Sequence, residues 1–230
     1  MSLRQTLEAI VAQKHLLTHP FYVAWTEGKL DRDHLKEYAK QYFHHVLAFP
    51  TYISAIHYNT PHLAVRQELL ENLIGEERGE KNHPALWRNF ALALGATEAE
   101  LETGPLLDTT ANLIETFRDR CLNSPFYAGL AALYAYESQV PEVAKVKIEG
   151  LQQFYGMSNP TDYEFFTVHQ EADVYHTEAT VQLIEAHATT EAQQAEAAAV
   201  AQAAVDALWS FLDGIYETYC QDVKAEAIAV

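Results

Sequence analysis

The segment His169-Gln-Glu-Ala-Asp173-Val-Tyr-His176 carries the densest chemistry in the chain. On an α-helix, steps of four and seven residues turn by about 40° and −20°, so the two imidazoles and the carboxylate share one stripe. Continued by the same steps, the stripe reaches Phe166 on one side and Thr180 and Leu183 on the other, a face that otherwise reads as buried. Left unpaired there, such groups would cost several kcal/mol, on the order of the penalty for burying uncompensated polar atoms. A metal ion offsets that cost directly. Two histidines with one carboxylate suit iron with positions left open for oxygen.

Two further apolar faces are interrupted in the same way. Glu76 and His83 lie seven residues apart in line with Leu69, Leu73, Trp87 and Phe90. Glu77 and Glu80 compete with Glu76, since Glu80 and His83 have the Glu-x-x-His spacing of ferritin-like sites. Glu137 is a lone acid among Leu130, Leu133, Val140 and Ala144. Pro141, four residues later, cannot donate to the Glu137 carbonyl, so a break is expected at the acid. Taken singly, each residue passes for a core histidine or a solvated acid, but three segments with one shared interruption do not. Glu76, His83, Glu137, His169, Asp173 and His176 exceed what one catalytic ion with open positions can use, so two ions fit better, iron, manganese or one of each.

The elements that must position these residues read as helices throughout, because apolar residues recur at three- and four-residue spacing and strand signals are poor. The spacing predicts helices over 3–17 and 19–27, the second ended by Gly28, and a long one from the Asp31 cap to Tyr58, bent at Pro50. Pro61 is placed to open a helix running to about Gly79 and on, bent at Pro84, to Leu94. Further helices are expected over 105–122 and over 125–154, the latter interrupted at Pro141. Asn159-Pro160 would open the helix that reaches His187, and a Thr190–Gln193 capping box the last one, whose alanine-rich first half should pack closely on a neighbour. The expected fold is an all-α, compact bundle of seven to eight helices forming a single domain over 1–230.

Composition sets the outer bounds. The 230 residues, 49 % hydrophobic and 20 % charged, can build one sizeable core. A net charge of −17 repels phosphate backbones and anionic lipid, so nucleic-acid and membrane-surface binding are not expected. With no long apolar run and no signal-peptide order at the N-terminus, the expected location is cytoplasmic. A homodimer is left open. Cys121 and Cys220 lie far apart without zinc-ligand spacing and read as small buried residues.

The order Glu-x6-His, a lone Glu, then His-x3-Asp-x2-His resembles the ligand pattern of the haem-oxygenase-like di-metal oxidases and oxygenases. Within that group, His19-Pro-Phe-Tyr22, Tyr38-Ala-Lys-Gln-Tyr42, Tyr136-Glu137-Ser-Gln-Val-Pro141-Glu and Lys147-Ile-Glu-Gly resemble the chlamydial protein associating with death domains and its bacterial relatives. Quinone-cofactor synthases and thiaminase-like proteins are more distantly similar. The resemblance spans nearly the whole chain. It implies a p-aminobenzoate synthase feeding folate synthesis that consumes its own tyrosine, with molecular oxygen and an unidentified reductant as co-substrates. Tyr22 then corresponds to the consumed residue, Tyr38 to an assisting one and Lys147 to the amino donor, with Tyr136 beside the lone acid as a further candidate. Lys145 competes with Lys147. Two other readings stay open: a di-metal oxygenase acting on a diffusible amino acid, amine or fatty acid, and a non-enzymatic acidic helical module that binds basic partners.

Overall fold

The computed structural model describes residues 1–223, excepting the side chains of 171–175. Helix α1 (Leu3–Gln13) opens on a Ser2–Gln5 capping box, and a 3-10 turn at Leu16–Thr18 leads into α2 (Pro20–Thr26). Helix α3 (Arg32–Asn59) is capped by Asp31 and runs on through Pro50. Then follow α4 (Leu63–Glu77), α5 (His83–Ala93), α6 (Glu98–Thr103), α7 (Asp108–Asn123), α8 (Phe126–Glu137) and α9 (Val140–Gln153). A 3-10 turn at Pro160–Tyr163 precedes α10 (Glu164–His187), and α11 (Glu191–Tyr219) closes the fold on the expected Thr190–Gln193 box. Among the described residues there is no strand.

Among the described residues the α-helices number eleven, more than the seven to eight expected, because two expected helices part where bends were foreseen and one short helix is added. The 62–94 stretch parts at 78–82, where Gly79 takes φ +82° and Asn82 caps α5. Ser138 and Gln139 separate α8 from α9 at the position Pro141 predicts. The short α6, closed by its own Thr97–Glu100 box, was not foreseen. Pro61 and Pro105 lie just before α4 and α7 rather than inside them, and Asn159-Pro160 opens the 3-10 turn, not α10 itself.

Helix α8 organises the packing. Its sequence is apolar all round, so every residue from Tyr127 to Glu137 is buried, as such a helix requires. Alanines 197, 201 and 204 let α11 lie close along it, while α7 and α10 cover other sides. Helix α3 packs on α4, α5 and α7, and α10 on α9. Gly150 of α9 admits Trp25: a Cβ there would stand 2.5 Å from Trp25 Nε1. That close approach seats α2, and with it Tyr22, against the helix that carries Lys147.

The Asn82 cap decides where His83 begins its helix, since its side chain accepts from the Ala85 amide at 2.9 Å. Asn82→Ala should lower the unfolding free energy by about 1 kcal/mol, read as a lower urea midpoint. Asn82→Ser or Asn82→Asp should hold the midpoint close to the parent's.

Candidate metal centre

Glu76 ends α4, His83 begins α5, and His169 lies on the second turn of α10. Each offers one ligand atom, and the three atoms lie within 4.8 Å of one another. Glu76 and His83 meet across the 78–82 connection rather than along one helix, which corrects the expectation of a continuous line. Glu77 and Glu80, the competing acids, are exposed.

The donors fit a cation. His83 Nδ1 stands 2.8 Å from Glu76 Oε2 yet has no hydrogen-bond partner, so the two atoms are close without the alignment of a bond, as ligands aimed at one point would be. His169 Nδ1 lies 2.6 Å from the Phe165 carbonyl, which can only accept. That contact assigns the proton to Nδ1 and leaves the Nε2 lone pair free for a metal. Burial, helped by the neighbouring His83, lowers the His169 imidazole to about 3, so it stays neutral.

Glu137, 2 % exposed, accepts from Asn72 Nδ2 at 2.8 Å on one oxygen, while its Oε2 has no partner. Burial pushes its carboxyl up to about 8 against the Asn72 bond, with Glu76 and Glu68 adding repulsion. His176 lies on the side of Glu68, its Nδ1 3.9 Å from Glu68 Oε1, and burial lowers it while Glu68 acts the other way. Its imidazole also feels His83, so Glu137 and His176 flank the triad of ligand atoms. The expectation for Asp173 falls on a side chain outside the described residues.

A second buried cluster lies beside this one. Tyr22 and Tyr38 approach hydroxyl to hydroxyl at 3.2 Å, and Lys147 Nζ donates to Tyr38 at 2.7 Å. Lys147 is 4 % exposed and its Nζ lies 4.8–5.5 Å from the ring centroids of Tyr22, Tyr38, Tyr42, Trp87 and Phe166. Burial in this aromatic box depresses its amine well below the ordinary range. Lys145, the competitor, is exposed. Tyr136 accepts from Tyr42 at 2.7 Å and, with Tyr22 and Lys147, lines a cavity of about 20 Å3. Phe165 and Phe166 form the wall between the clusters: the Phe165 ring lies 4.1 Å from that of His169, and Phe166 faces Lys147.

The cysteines and the first two histidines have structural roles. Both cysteines are buried, with thiols pushed up by desolvation, Cys220 to about 12. His15 and His19 cap the helical turns that follow them. Sequence reasoning missed Asn72 and Glu68, although Glu68, Asn72 and Glu76 at steps of four form a polar stripe on α4 that would have revealed them.

Two outcomes follow from this geometry. Asn72→Ala should weaken binding of a divalent cation by about 10- to 100-fold, measured by competition with a chelator, because outer partners orient ligating carboxylates. In the metal-free chain Glu137 keeps its proton up to about 8, whereas the unfolded chain releases it near 4.5. Folded stability is therefore lost as pH rises through that window. Metal-free Glu137→Gln should have a higher urea midpoint than the parent at about pH 9, with the gap closing toward about pH 4.

Residues 36–209 match the family of iron-containing redox enzymes. The chain is 56 % identical to the 4-aminobenzoate synthase of Nitrosomonas europaea, covering 97 % of this chain and 94 % of that one. It is 42 % identical to the 4-aminobenzoate synthase of Chlamydia trachomatis, covering 94 % and 93 %. A TenA homologue of Pseudomonas syringae superimposes with a TM-score of 0.80 at 19 % identity, over 94 % of this chain and 91 % of that one. The chain thus belongs to the iron-containing redox enzymes of haem-oxygenase-like fold, in the branch that holds the 4-aminobenzoate synthases.

Proposed function

We propose that this chain makes p-aminobenzoate for folate synthesis from its own Tyr22, with Lys147 as nitrogen donor and Tyr38 between them. Glu76, His83, Glu137, His169, Asp173 and His176 would hold two ions, iron, manganese or one of each. Bound there, the ions supply redox chemistry, with molecular oxygen as oxidant and an external reductant. The Cα–Cβ bond of Tyr22 breaks and Cβ is oxidised from methylene to carboxylate at the expense of molecular oxygen; the ring carbon exchanges its bond to the phenolic oxygen, released as water, for one to the Lys147 nitrogen, and the Nζ–Cε bond of Lys147 then breaks with Cε oxidised to an aldehyde.

The observation that carries this reading is the placement of Lys147. Its amine is buried, pushed toward its neutral form by desolvation, 2.7 Å from the Tyr38 hydroxyl and 5.5 Å from the centroid of the Tyr22 ring. A neutral amine has the lone pair that attack on an activated ring needs. Tyr38 touches both partners, so its hydroxyl can pass a proton between the Tyr22 phenol and the amine. Desolvation raises both phenols, which keeps them protonated until oxidation draws the proton away.

The cavity supports an internal substrate. At about 20 Å3 it admits a molecule the size of water or oxygen. A benzene-sized guest occupies cavities of about 150 Å3 in other proteins, so a diffusible aromatic has no room beside Tyr22. The 4-aminobenzoate synthase relatives support the product.

Protein made with ring-labelled tyrosine and nitrogen-labelled lysine, then supplied with iron or manganese, reductant and oxygen in unlabelled buffer, tests the reading. The product should carry both labels at no more than one molecule per chain, and the chain should lose mass at residue 22. Tyr22→Phe should release none. Unlabelled product or repeated turnover would sink the proposal.

A further inference from the structure

A cleft of about 520 Å3 opens on the surface between α4 and α10, lined by Ala64, Glu68, Glu178, Ala179, Gln182 and Leu183. Arg4 holds Glu178 through two hydrogen bonds of 2.9 and 3.0 Å. Glu68 is placed differently. Its side chain is 23 % exposed to the cleft, while its Oε1 is cut off from solvent, has no hydrogen-bond partner and lies 3.9 Å from His176 Nδ1. Further in, Glu137 turns an equally unpartnered Oε2 into the 2 %-exposed interior beside Asn72. Glu68, Asn72 and Glu76 follow one another along α4 at single-turn spacing, so polar groups run from the cleft to the triad.

We infer that Glu68 is the entry ligand for a divalent transition-metal cation. The ion is captured from the cleft by Glu68 together with His176 and passed inward to Glu137 and Glu76. This rests on the metal-binding part of the proposed function and adds the route by which the site fills. The triad is buried behind α4 and α10, so an ion must shed water before reaching it, and a partly exposed carboxylate offers the first replacement oxygen. An imidazole and a carboxylate suit iron or manganese. The net charge of −17 draws cations to the surface, and an acid in a low-dielectric cleft focuses that attraction.

Metal-free protein mixed with Mn2+ alone tests the route, with uptake followed as loss of the electron-paramagnetic-resonance signal of free Mn2+ and final stoichiometry by elemental analysis. Glu68→Gln should load at least about tenfold more slowly than the parent, the low end of charge-focusing effects on association. It should finish with the same number of ions per chain. Glu68→Asp should recover part of the rate, and Glu178→Gln should load as the parent does. Circular dichroism of each metal-free variant checks that the fold is kept. Parental loading by Glu68→Gln would overturn the entry role, as would a final loss of one ion, which would make Glu68 a resident ligand. A parent chain that binds no Mn2+ would instead defeat the metal centre itself, an outcome readable without any variant.

Discussion

The burial of unsatisfied carboxylate and imidazole atoms behind a fully dry helix is the constraint to which the rest of this fold answers. Glu137 sits at the end of α8 with one oxygen bonded to Asn72 and the other bonded to nothing. His83 Nδ1 is in the same condition beside Glu76. Each such atom would cost on the order of 1–3 kcal/mol in an ordinary core. Glu76 and His83 persist within ligand distance of His169, as a cation-binding centre requires, and a Glu137 carboxyl pushed up to about 8 and a neutral His169 are how the metal-free chain tolerates such burial.

The same dryness shapes the neighbouring cluster. Lys147 stands within an aromatic box whose members have no charge to offer it, so desolvation pushes its amine well below the ordinary lysine range. The wall between the clusters serves both. Phe165 gives its carbonyl to His169 and its ring to Trp87, while Phe166 faces the amine. A replacement in that wall would therefore act on the ligand and the amine together, and the two sites are one construction sharing a single apolar partition.

Much of this was legible in the residues. Periodicity alone identified the all-helical class, and acids or histidines interrupting apolar stripes identified the candidate ligands. Glu76, His83 and His169 bring their ligand atoms within 4.8 Å of one another, Glu137 and His176 lie within electrostatic reach of Glu76 and His83, and the side chain of Asp173 lies outside the described residues. Pro141 foretold the break after Glu137 because a missing amide is visible in sequence. The connection over 78–82 was harder, since Gly79 and Asn82 act through backbone conformation and a cap, and a helical wheel drawn through Pro84 looked equally acceptable. Phe165 was passed over because its contribution to His169 is a carbonyl, which no side-chain pattern records.

By itself the sequence determined which groups share a face of each helix, because the angle between residues on one helix depends only on their spacing. That was enough for the candidate ligand types, their order and the all-α class. Only the tertiary structure decided which faces meet. It set Lys147 rather than Lys145 beside Tyr38, chose Glu76 over its exposed neighbours and brought Glu68 to the floor of a cleft. Those choices depend on where loops turn and how closely helices pack, as at Gly150 against Trp25, and distances between helices are products of packing that no spacing along one chain contains.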